Sequence, residues 1–222
     1  MAQVEPYQTH TVEAEISGVV QKIALKKEFS YSTKTVLVVK LDTENDDIEI
    51  PALKKRVYTI KEALALKREN LKSKSRVRQI SKYDLNSETL SVVDTKLSLI
   101  SAEMELKIKQ SNRSKKLFYI SRGYIGKIYV DELEYVNFGE RLFEYYDFSK
   151  SRLDIFVSGD EIEDIRNRII FIDGLESKAW KIEKVSQVKD SKRISTYQVR
   201  LVQKNRVPKE AKFGQIHKVE FK

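Results

Sequence analysis

The feature that most constrains this chain is an internal repeat. A shift of 105 residues pairs Gly18 with Gly123 and Asp42 with Asp147, without gaps. It also pairs Val20 with Ile125, Lys22 with Lys127, Ile23 with Ile128, Leu25 with Val130 and Leu37 with Leu142. A half-motif of this size cannot bury a core alone, so we expect the two halves to pair with each other in one small β domain.

The residues between the two halves have the spacing of two helices. Apolar residues follow a heptad in two runs, the first interrupted by Lys67: Leu53, Val57, Ile60, Leu64 and Leu71, then Leu90, Val93, Leu97, Ile100 and Met104. We interpret each run as the seam through which one helix packs on the other. Pro51 stands where the first helix would begin. The pattern predicts helices at about 51–79 and 87–111, joined in an antiparallel hairpin roughly 40 Å long.

Short runs that alternate β-branched or aromatic residues with polar ones flank the hairpin and fill the C-terminal third. They predict strands, and after residue 151 they predict a small β-barrel or sandwich around one short helix. Aromatic residues expected inside the barrel core are Phe156, Phe171, Trp180 and Tyr197. The N-terminal residues, including His10, are expected to form a loose terminus.

The net charge of +9 lies in one segment. Residues 52–82 contain eleven Lys or Arg against two Glu, and the rest of the chain contains 31 of each sign. The basic residues of this segment are Lys54, Lys55, Arg56, Lys61, Lys67, Arg68, Lys72, Lys74, Arg76, Arg78 and Lys82. They form no single stripe and few aromatics lie among them, which disfavours nucleic acid as the partner. The charge indicates either a solvated helix face or a face that meets acidic helices of another protein.

Catalytic and metal-binding patterns are absent from the sequence. The chain has no cysteine, which excludes disulfides, a cysteine zinc site and a thiol nucleophile, and its two histidines lie near opposite ends. An acidic cluster at Asp160, Glu161, Glu163 and Asp164 is better explained as an exposed short helix than as a site. We therefore expect no enzymatic activity, no cofactor and no bound metal.

The order of half-motif, hairpin, half-motif and barrel resembles the periplasmic adaptors, or membrane fusion proteins, of tripartite efflux systems (HlyD-like). The segment EISGVVQKIALKK is similar to the first biotinyl/lipoyl-like half of that family. In the second half, Gly139, Leu142 and Asp147 match the family phrase V-x-x-G-x-x-L-x-x-x-x-D. The first half departs from this phrase, because Lys34 occupies the position at which the family has Gly. The resemblance implies a lipoyl-like domain from 12–45 and 113–150, a hairpin at 46–112 and a barrel at 151–222.

The hairpin tip carries the most specific resemblance. Adaptors that dock to TolC-like channels have an Arg, a Leu four residues later and a Ser seven residues after that. Arg76, Ile80 and Ser87 keep these intervals, with Ile in place of Leu. An exposed Arg can bind carboxylates or carbonyls, a branched aliphatic can fill a groove, and a Ser at a helix start can cap that helix. The alternative is that Ile80 only closes the hairpin, Ser87 is only a cap and Arg76 is only solvated.

The resemblance implies a non-catalytic periplasmic subunit that links an inner-membrane transporter, favoured to be of the resistance-nodulation-division (RND) type, to a TolC-like outer-membrane channel. It also implies a homo-oligomer in the assembled pump. Association with the inner membrane would be through partners or an N-terminal anchor, since a signal or anchor is expected upstream of this chain. Alternatives are an adaptor of ABC-driven type I secretion and a cytosolic coiled-coil interaction protein.

Overall fold

The computed structural model describes residues 1–77, 80–191, 193 and 195–222. This part of the chain is mainly β and has one helical hairpin, as the sequence predicts. The first strands are β1 (Ala2–Glu13), β2 (Gly18–Ile23), β3 (Ser30–Ser32) and β4 (Val36–Leu41). After the hairpin follow β5 (Leu117–Ile120), β6 (Gly123–Ile128), β7 (Tyr135–Val136) and β8 (Arg141–Ser158). The remaining strands are β9 (Ile170–Ile172), β10 (Leu175–Glu176), β11 (Lys181–Lys189), β12 (Thr196–Lys204), β13 (Ile216–His217) and β14 (Val219–Phe221).

The two halves of the repeat build one β domain together. In the sheet β5-β4-β2-β7, strands β4 and β2 of the first half lie between β5 and β7 of the second, and β3 of the first half pairs with β6 of the second. Their buried residues form a single cluster, to which Leu41 belongs from the first half and Leu142 from the second. The pairing expected from the repeat is therefore observed.

The hairpin consists of helix α1 (Glu44–Lys74) and helix α2 (Lys82–Ser114). Both helices begin earlier than the sequence analysis predicts, and Pro51 lies inside α1 instead of at its start. Asp46 and Asp47 occupy the first turn of α1, where carboxylates stabilise the positive end of the helix dipole. Ser81 caps α2, since its Oγ accepts a hydrogen bond of 3.0 Å from the backbone N–H of Asp84. The predicted helix end at residue 79 lies outside the described residues.

The seam predicted for α1 is confirmed, but the one predicted for α2 is wrong. Val57 and Leu64 of α1 are buried, and Lys67 at the interrupted position donates from Nζ to Thr95 Oγ1 at 2.8 Å. The face of α2 that packs on α1 instead carries buried Ala102 and half-buried residues at heptad spacing: Leu85, Glu88, Val92, Thr95, Leu99, Leu106 and Lys109. The predicted and the observed faces of α2 both have heptad spacing. The rotation of α2 is therefore decided by the contacts that small and polar residues such as Ala102 and Thr95 make with α1.

A second buried cluster lies in the C-terminal part, around Leu153, Trp180 and Leu201. Its strands form the path β11-β12-β8-β1-β13 and the smaller sheet β10-β9-β14. The N-terminal residues are not loose, because β1 pairs with β8 from Val4 to Glu13. Strand β8 runs through the predicted domain boundary at 150/151 without a break. The division into domains at the predicted boundaries stays a prediction.

The aromatic residues assigned to the barrel core divide into two groups. Trp180 is buried, as predicted. Phe156 is not part of the core cluster, and the guanidinium of Arg193 lies 4.0 Å from its ring centre. Phe171 and Tyr197 are likewise outside the cluster, and Lys222 Nζ lies 4.8 Å from the ring of Phe171. Strand alternation explains the position of Phe156, because this even-numbered residue points away from the face on which Leu153 and its odd-numbered neighbours are buried.

None of the described helices combines the length and the apolar character that crossing a membrane requires.

Candidate partner-binding surfaces of the helical hairpin

The base of the hairpin is fixed by a buried carboxylate. Asp46 is 2 % exposed and lies 2.7 Å from Lys116 Nζ and 3.3 Å from Lys109 Nζ. Burial alone would raise the pKa of Asp46, but the hydrogen bonds from Lys116 and Lys109 outweigh it and hold the pKa below its usual value. These contacts join the first turn of α1 to the end of α2, so the hairpin leaves the β domain in a defined direction.

Part of the positive charge of α1 is neutralised within the hairpin. Arg56 pairs with Glu105 at 2.9 Å, Lys61 with Glu103 at 2.7 Å and Lys74 with Glu88 at 2.7 Å. All three pairs are at least partly exposed, so each contributes little to stability. They join α1 to α2 at three levels along the hairpin. Arg78, another member of the basic segment, lies outside the described residues.

The predicted docking residues lie at the far end of the hairpin. Helix α1 ends at Lys74, and Arg76 follows as an exposed turn residue whose N–H bonds to the carbonyl of Ser73 at 3.2 Å. Ile80 is half-buried just before the cap of α2. Arg76 and Ser87 are both exposed, on either side of the turn. Within the described part of the chain, no hydrogen bond or ion pair joins these three side chains to each other.

The capping role predicted for Ser87 is wrong. Ser87 lies in the second turn of α2, where its side chain is exposed, and Ser81 is the cap. The signal for the earlier start is the sequence Ser81-Lys82-Tyr83-Asp84, in which the Ser81 hydroxyl also donates to Asp84 Oδ2 at 2.6 Å. Ser87 is therefore free of a structural role at the helix end.

Sequence reasoning missed two exposed apolar residues at the tip. Val77 is 56 % exposed and Tyr83 is 82 % exposed, on the two sides of the turn. An aromatic ring and a branched aliphatic beside an exposed Arg are the residue types that anchor protein interfaces. In the sequence, Val77 and Tyr83 look like residues of a buried seam. The structure identifies them as tip residues because it shows where the turn lies.

Helix α2 also carries a long exposed apolar surface, which we call the α2 apolar stripe. Its members are 43–63 % exposed: Leu90, Val93, Leu97, Ile100, Met104 and Ile108. All but Ile108 belong to the apolar run whose spacing predicts the hairpin seam. The correction of that seam therefore leaves a second heptad face of α2 without a partner in the described part of the chain.

The described residues include no group of three or more His, Asp or Glu side chains that could hold a metal ion. Glu161 of the acidic cluster instead takes part in the capping box of a short helix, α3 (Gly159–Ile162), with Ser158. The short helix expected in this segment is thus present.

No protein-family model matches the chain, and no curated protein sequence is significantly similar to it. Solved structures do match. The membrane fusion protein Spr0693 from Streptococcus pneumoniae aligns with a TM-score of 0.73 and 12% identity over 100% of this chain and 96% of its own. MacA from Actinobacillus actinomycetemcomitans aligns with a TM-score of 0.69 and 16% identity over 92% of this chain and 72% of its own. A putative efflux transporter from Bacteroides eggerthii aligns with a TM-score of 0.64 and 16% identity, over 92% of this chain and 61% of its own.

At these identities the likeness concerns the fold. It extends over both β regions and the hairpin, since the alignments cover nearly all of this chain. The fold expected from the order of half-motif, hairpin, half-motif and barrel is thereby confirmed. This chain has the fold of the membrane fusion proteins.

Proposed function

We propose that this protein is a periplasmic adaptor that links an inner-membrane transporter to a TolC-like outer-membrane channel, without catalytic activity of its own. The fold shared with a membrane fusion protein supports the adaptor role. The observation that carries the proposal is the hairpin tip, where Arg76 and Ser87 are exposed on either side of half-buried Ile80. The hairpin presents these residues at the end most distant from both buried clusters.

The tip offers chemistry suited to docking on the ends of partner helices. The guanidinium of Arg76 can donate two parallel hydrogen bonds to a carboxylate or to free carbonyls at a helix terminus. Ser87 supplies a hydroxyl not needed for capping, and Val77 and Tyr83 supply apolar area beside it. A polar anchor next to a small apolar patch gives a specific but reversible contact.

The other end of the molecule would face the transporter. Met1 and Lys222 line one cleft of the barrel region, of about 510 Å³, together with Phe156 and Arg193. An RND-type transporter is favoured, because the spacing of Arg76, Ile80 and Ser87 resembles that of adaptors in such systems. Several copies would surround the channel, with the tips pointing the same way.

Site-specific crosslinking tests the proposal, because the chain has no cysteine to interfere. Single variants Arg76→Cys and Ser87→Cys would be expressed in cells with their native envelope, labelled at the thiol with a maleimide that carries a benzophenone, and irradiated so that the benzophenone inserts into a neighbouring C–H bond. We expect both to capture an outer-membrane channel, while Lys55→Cys, an exposed position near the base, does not. Capture of cytosolic proteins alone would rule the adaptor role out.

A charge reversal supplies the functional measurement. In the Ser87→Cys background, Arg76→Glu should abolish channel capture, and by itself it should abolish the export that depends on the channel, because the carboxylate repels an acceptor group that Arg76 binds. Lys55→Glu makes the same change of charge on an exposed residue of α1, away from the tip, and serves as the matched control. Equal loss in both variants would mean that net charge matters and the tip does not.

A further inference from the structure

A cleft of about 450 Å³ lies in the C-terminal β region. One wall is the segment that leads into β9, and the other is the segment that runs from the end of β10 into β11. The backbone N–H of Ser177 donates to the carbonyl of Ile170 at 2.8 Å, so the two walls are joined. Ile170 and Trp180, which belong to the second buried cluster, form part of the lining. A cleft of this size can hold a small ligand.

The charges in this cleft are not balanced. Four basic side chains and one carboxylate line it, and we call it the basic cleft: Arg166, Arg168, Lys178 and Lys181, with Glu176. None of the five forms an ion pair with a residue that the structure describes. On the sheet that contains β11, by contrast, Arg200 pairs with Asp154 at 2.8 Å. Cations gathered without enough carboxylates repel one another, and a bound anion removes that repulsion.

Trp180 offers a hydrogen-bond donor in the same cleft. Its side chain is 8 % exposed, and its indole N–H donates to no acceptor within the described residues. The indole nitrogen still has contact with solvent. An indole N–H in so buried a residue usually has a hydrogen-bond partner. An acceptor oxygen of a ligand in the basic cleft supplies that partner.

We propose that the basic cleft binds a phosphate monoester. Such a group has a charge between about −1.5 and −2 at neutral pH and three oxygens that accept hydrogen bonds, so it compensates much of the excess positive charge. The guanidinium groups of Arg166 and Arg168 each present paired N–H donors that match two phosphate oxygens, and the lysine ammonium groups add charge. A carboxylate has a single negative charge and leaves more of the repulsion in place.

Ile169 indicates that the ligand also has an apolar part. Its side chain is 50 % exposed and lines the basic cleft. A phosphate ester places its oxygens among the cations and its apolar group against Ile169 and Trp180. Two sources supply this chemistry, the headgroup of phosphatidic acid and a soluble phosphate ester. The residues that line the basic cleft are not part of the hairpin, so the phosphate site and channel docking can fail independently.

The first test uses Trp180, the single tryptophan of the chain, as a fluorescent reporter. Phenyl phosphate added to the full chain should change the tryptophan fluorescence saturably, with a dissociation constant of about 1 mM or less. Sodium chloride at the same ionic strength should give no saturable change. Benzoate, which has the same ring and a carboxylate, should bind at least several-fold more weakly. No saturable change with phenyl phosphate, or equally tight binding of benzoate, would overturn the proposal.

Charge reversal tests the location of the site. Lys181 and Lys189 are exposed residues at the two ends of β11, and of the two only Lys181 lines the basic cleft. Lys181→Glu should weaken the binding of phenyl phosphate by about tenfold or more, whereas Lys189→Glu, the matched control, should leave it unchanged. Arg168→Gln should weaken it as well, because it removes a fork of donors without adding a negative charge. If Lys181→Glu binds as the unaltered chain does, or Lys189→Glu loses as much, the phosphate is not bound in the basic cleft.

Vesicle flotation distinguishes the two sources of phosphate. The vesicles would consist of phosphatidylcholine with phosphatidic acid or, at the same surface charge, with phosphatidylglycerol, whose phosphate is a diester. Binding to the phosphatidic acid vesicles alone, lost in Lys181→Glu and kept in Lys189→Glu, would assign the site to a lipid headgroup. Binding of phenyl phosphate without such vesicle binding would assign it to a soluble ester. If neither probe binds in a manner that depends on Lys181, the basic cleft is not a phosphate site.

Discussion

Lys116 Nζ lies 2.7 Å from Asp46 Oδ2, although the two residues are 70 positions apart in sequence. Asp46 belongs to the first turn of α1, and Lys116 follows the end of α2 directly before β5. The pair therefore closes the hairpin at the point where both helices join the β domain. A protruding arm that transmits or receives contacts at its tip depends on this base for its direction.

The variant Asp46→Asn should destabilise the protein. It leaves the ammonium group of Lys116 partly buried without a carboxylate, while Lys109 keeps its pair with Glu49 at 2.7 Å. The loss should cost about 2 kcal/mol of the free energy of unfolding. Urea denaturation followed by circular dichroism at 222 nm would measure the change. Asp47→Asn is the control, because exposed Asp47 pairs with Arg113 at the surface and should have a much smaller effect. If the two variants lost the same amount of stability, Asp46 would have no special role at the base of the hairpin.

The same carboxylate gives a pH dependence of known sign. Because the folded protein lowers the pKa of Asp46, ionised Asp46 contributes stability that is complete above its unfolded pKa of about 4. This contribution is lost as the pH falls through the still lower folded value. The stability difference between the unaltered chain and Asp46→Asn should thus be constant from pH 7 to pH 5 and shrink below pH 4. A difference that grows on acidification would refute it.

The corrected seam of α2 predicts opposite sensitivities for its two faces. Ala102→Leu should destabilise the hairpin by about 1–3 kcal/mol, because Ala102 is fully buried where α2 approaches α1. Leu97→Ala should cost much less in dilute solution, since Leu97 is mostly exposed. Thermal melts of both variants at low protein concentration would decide between the two seams. A larger loss for Leu97→Ala would restore the seam predicted from sequence.

Gly126 should not tolerate a side chain. A Cβ built there would lie 2.4 Å from Tyr146 Cε2 and 2.9 Å from Glu144 Cβ, so Gly126→Ala should cost about 1–3 kcal/mol in the free energy of unfolding. Gly159→Ala is the matched control, because its Cβ would lie 3.8 Å from Tyr197 Cε2, an ordinary contact. Denaturant midpoints of the two variants provide the comparison. Similar midpoints would mean that β6 and β8 can move apart without loss.

Tyr146 should titrate unusually late. Burial, together with the hydrogen bond to Glu144, raises the pKa of Tyr146 to about 12. A raised folded pKa contributes stability that is present below the unfolded value near 10 and is lost as the pH rises toward 12. The stability advantage of the unaltered chain over Tyr146→Phe should therefore decline above pH 10, as measured by urea denaturation. An advantage that is constant up to pH 11.5 would exclude the late titration.

The sequence is informative wherever one pattern has one structural solution. The repeat that pairs Gly18 with Gly123 allows only mutual pairing of the two halves, and the structure shows that pairing. The repeat also predicts that the turn at Lys34 differs from the corresponding turn of the second half. Gly139, the equivalent of Lys34 in the second half, has a φ of 81°, which favours glycine. In the first half, Ser32 Oγ instead donates to the Lys34 carbonyl at 2.8 Å.

Local sequence patterns are sufficient to predict most of the elements, the two-half β domain, the existence of the hairpin and the location of its charge. Tertiary structure decided which face of α2 packs, because two heptads coexist on that helix and only contacts such as Lys67 with Thr95 choose between them. It also made residues 2–13 a strand, since β1 is ordered by pairing with β8 and not by its own pattern. Pairing and rotation depend on partners distant in sequence, and local periodicity contains no information about those partners.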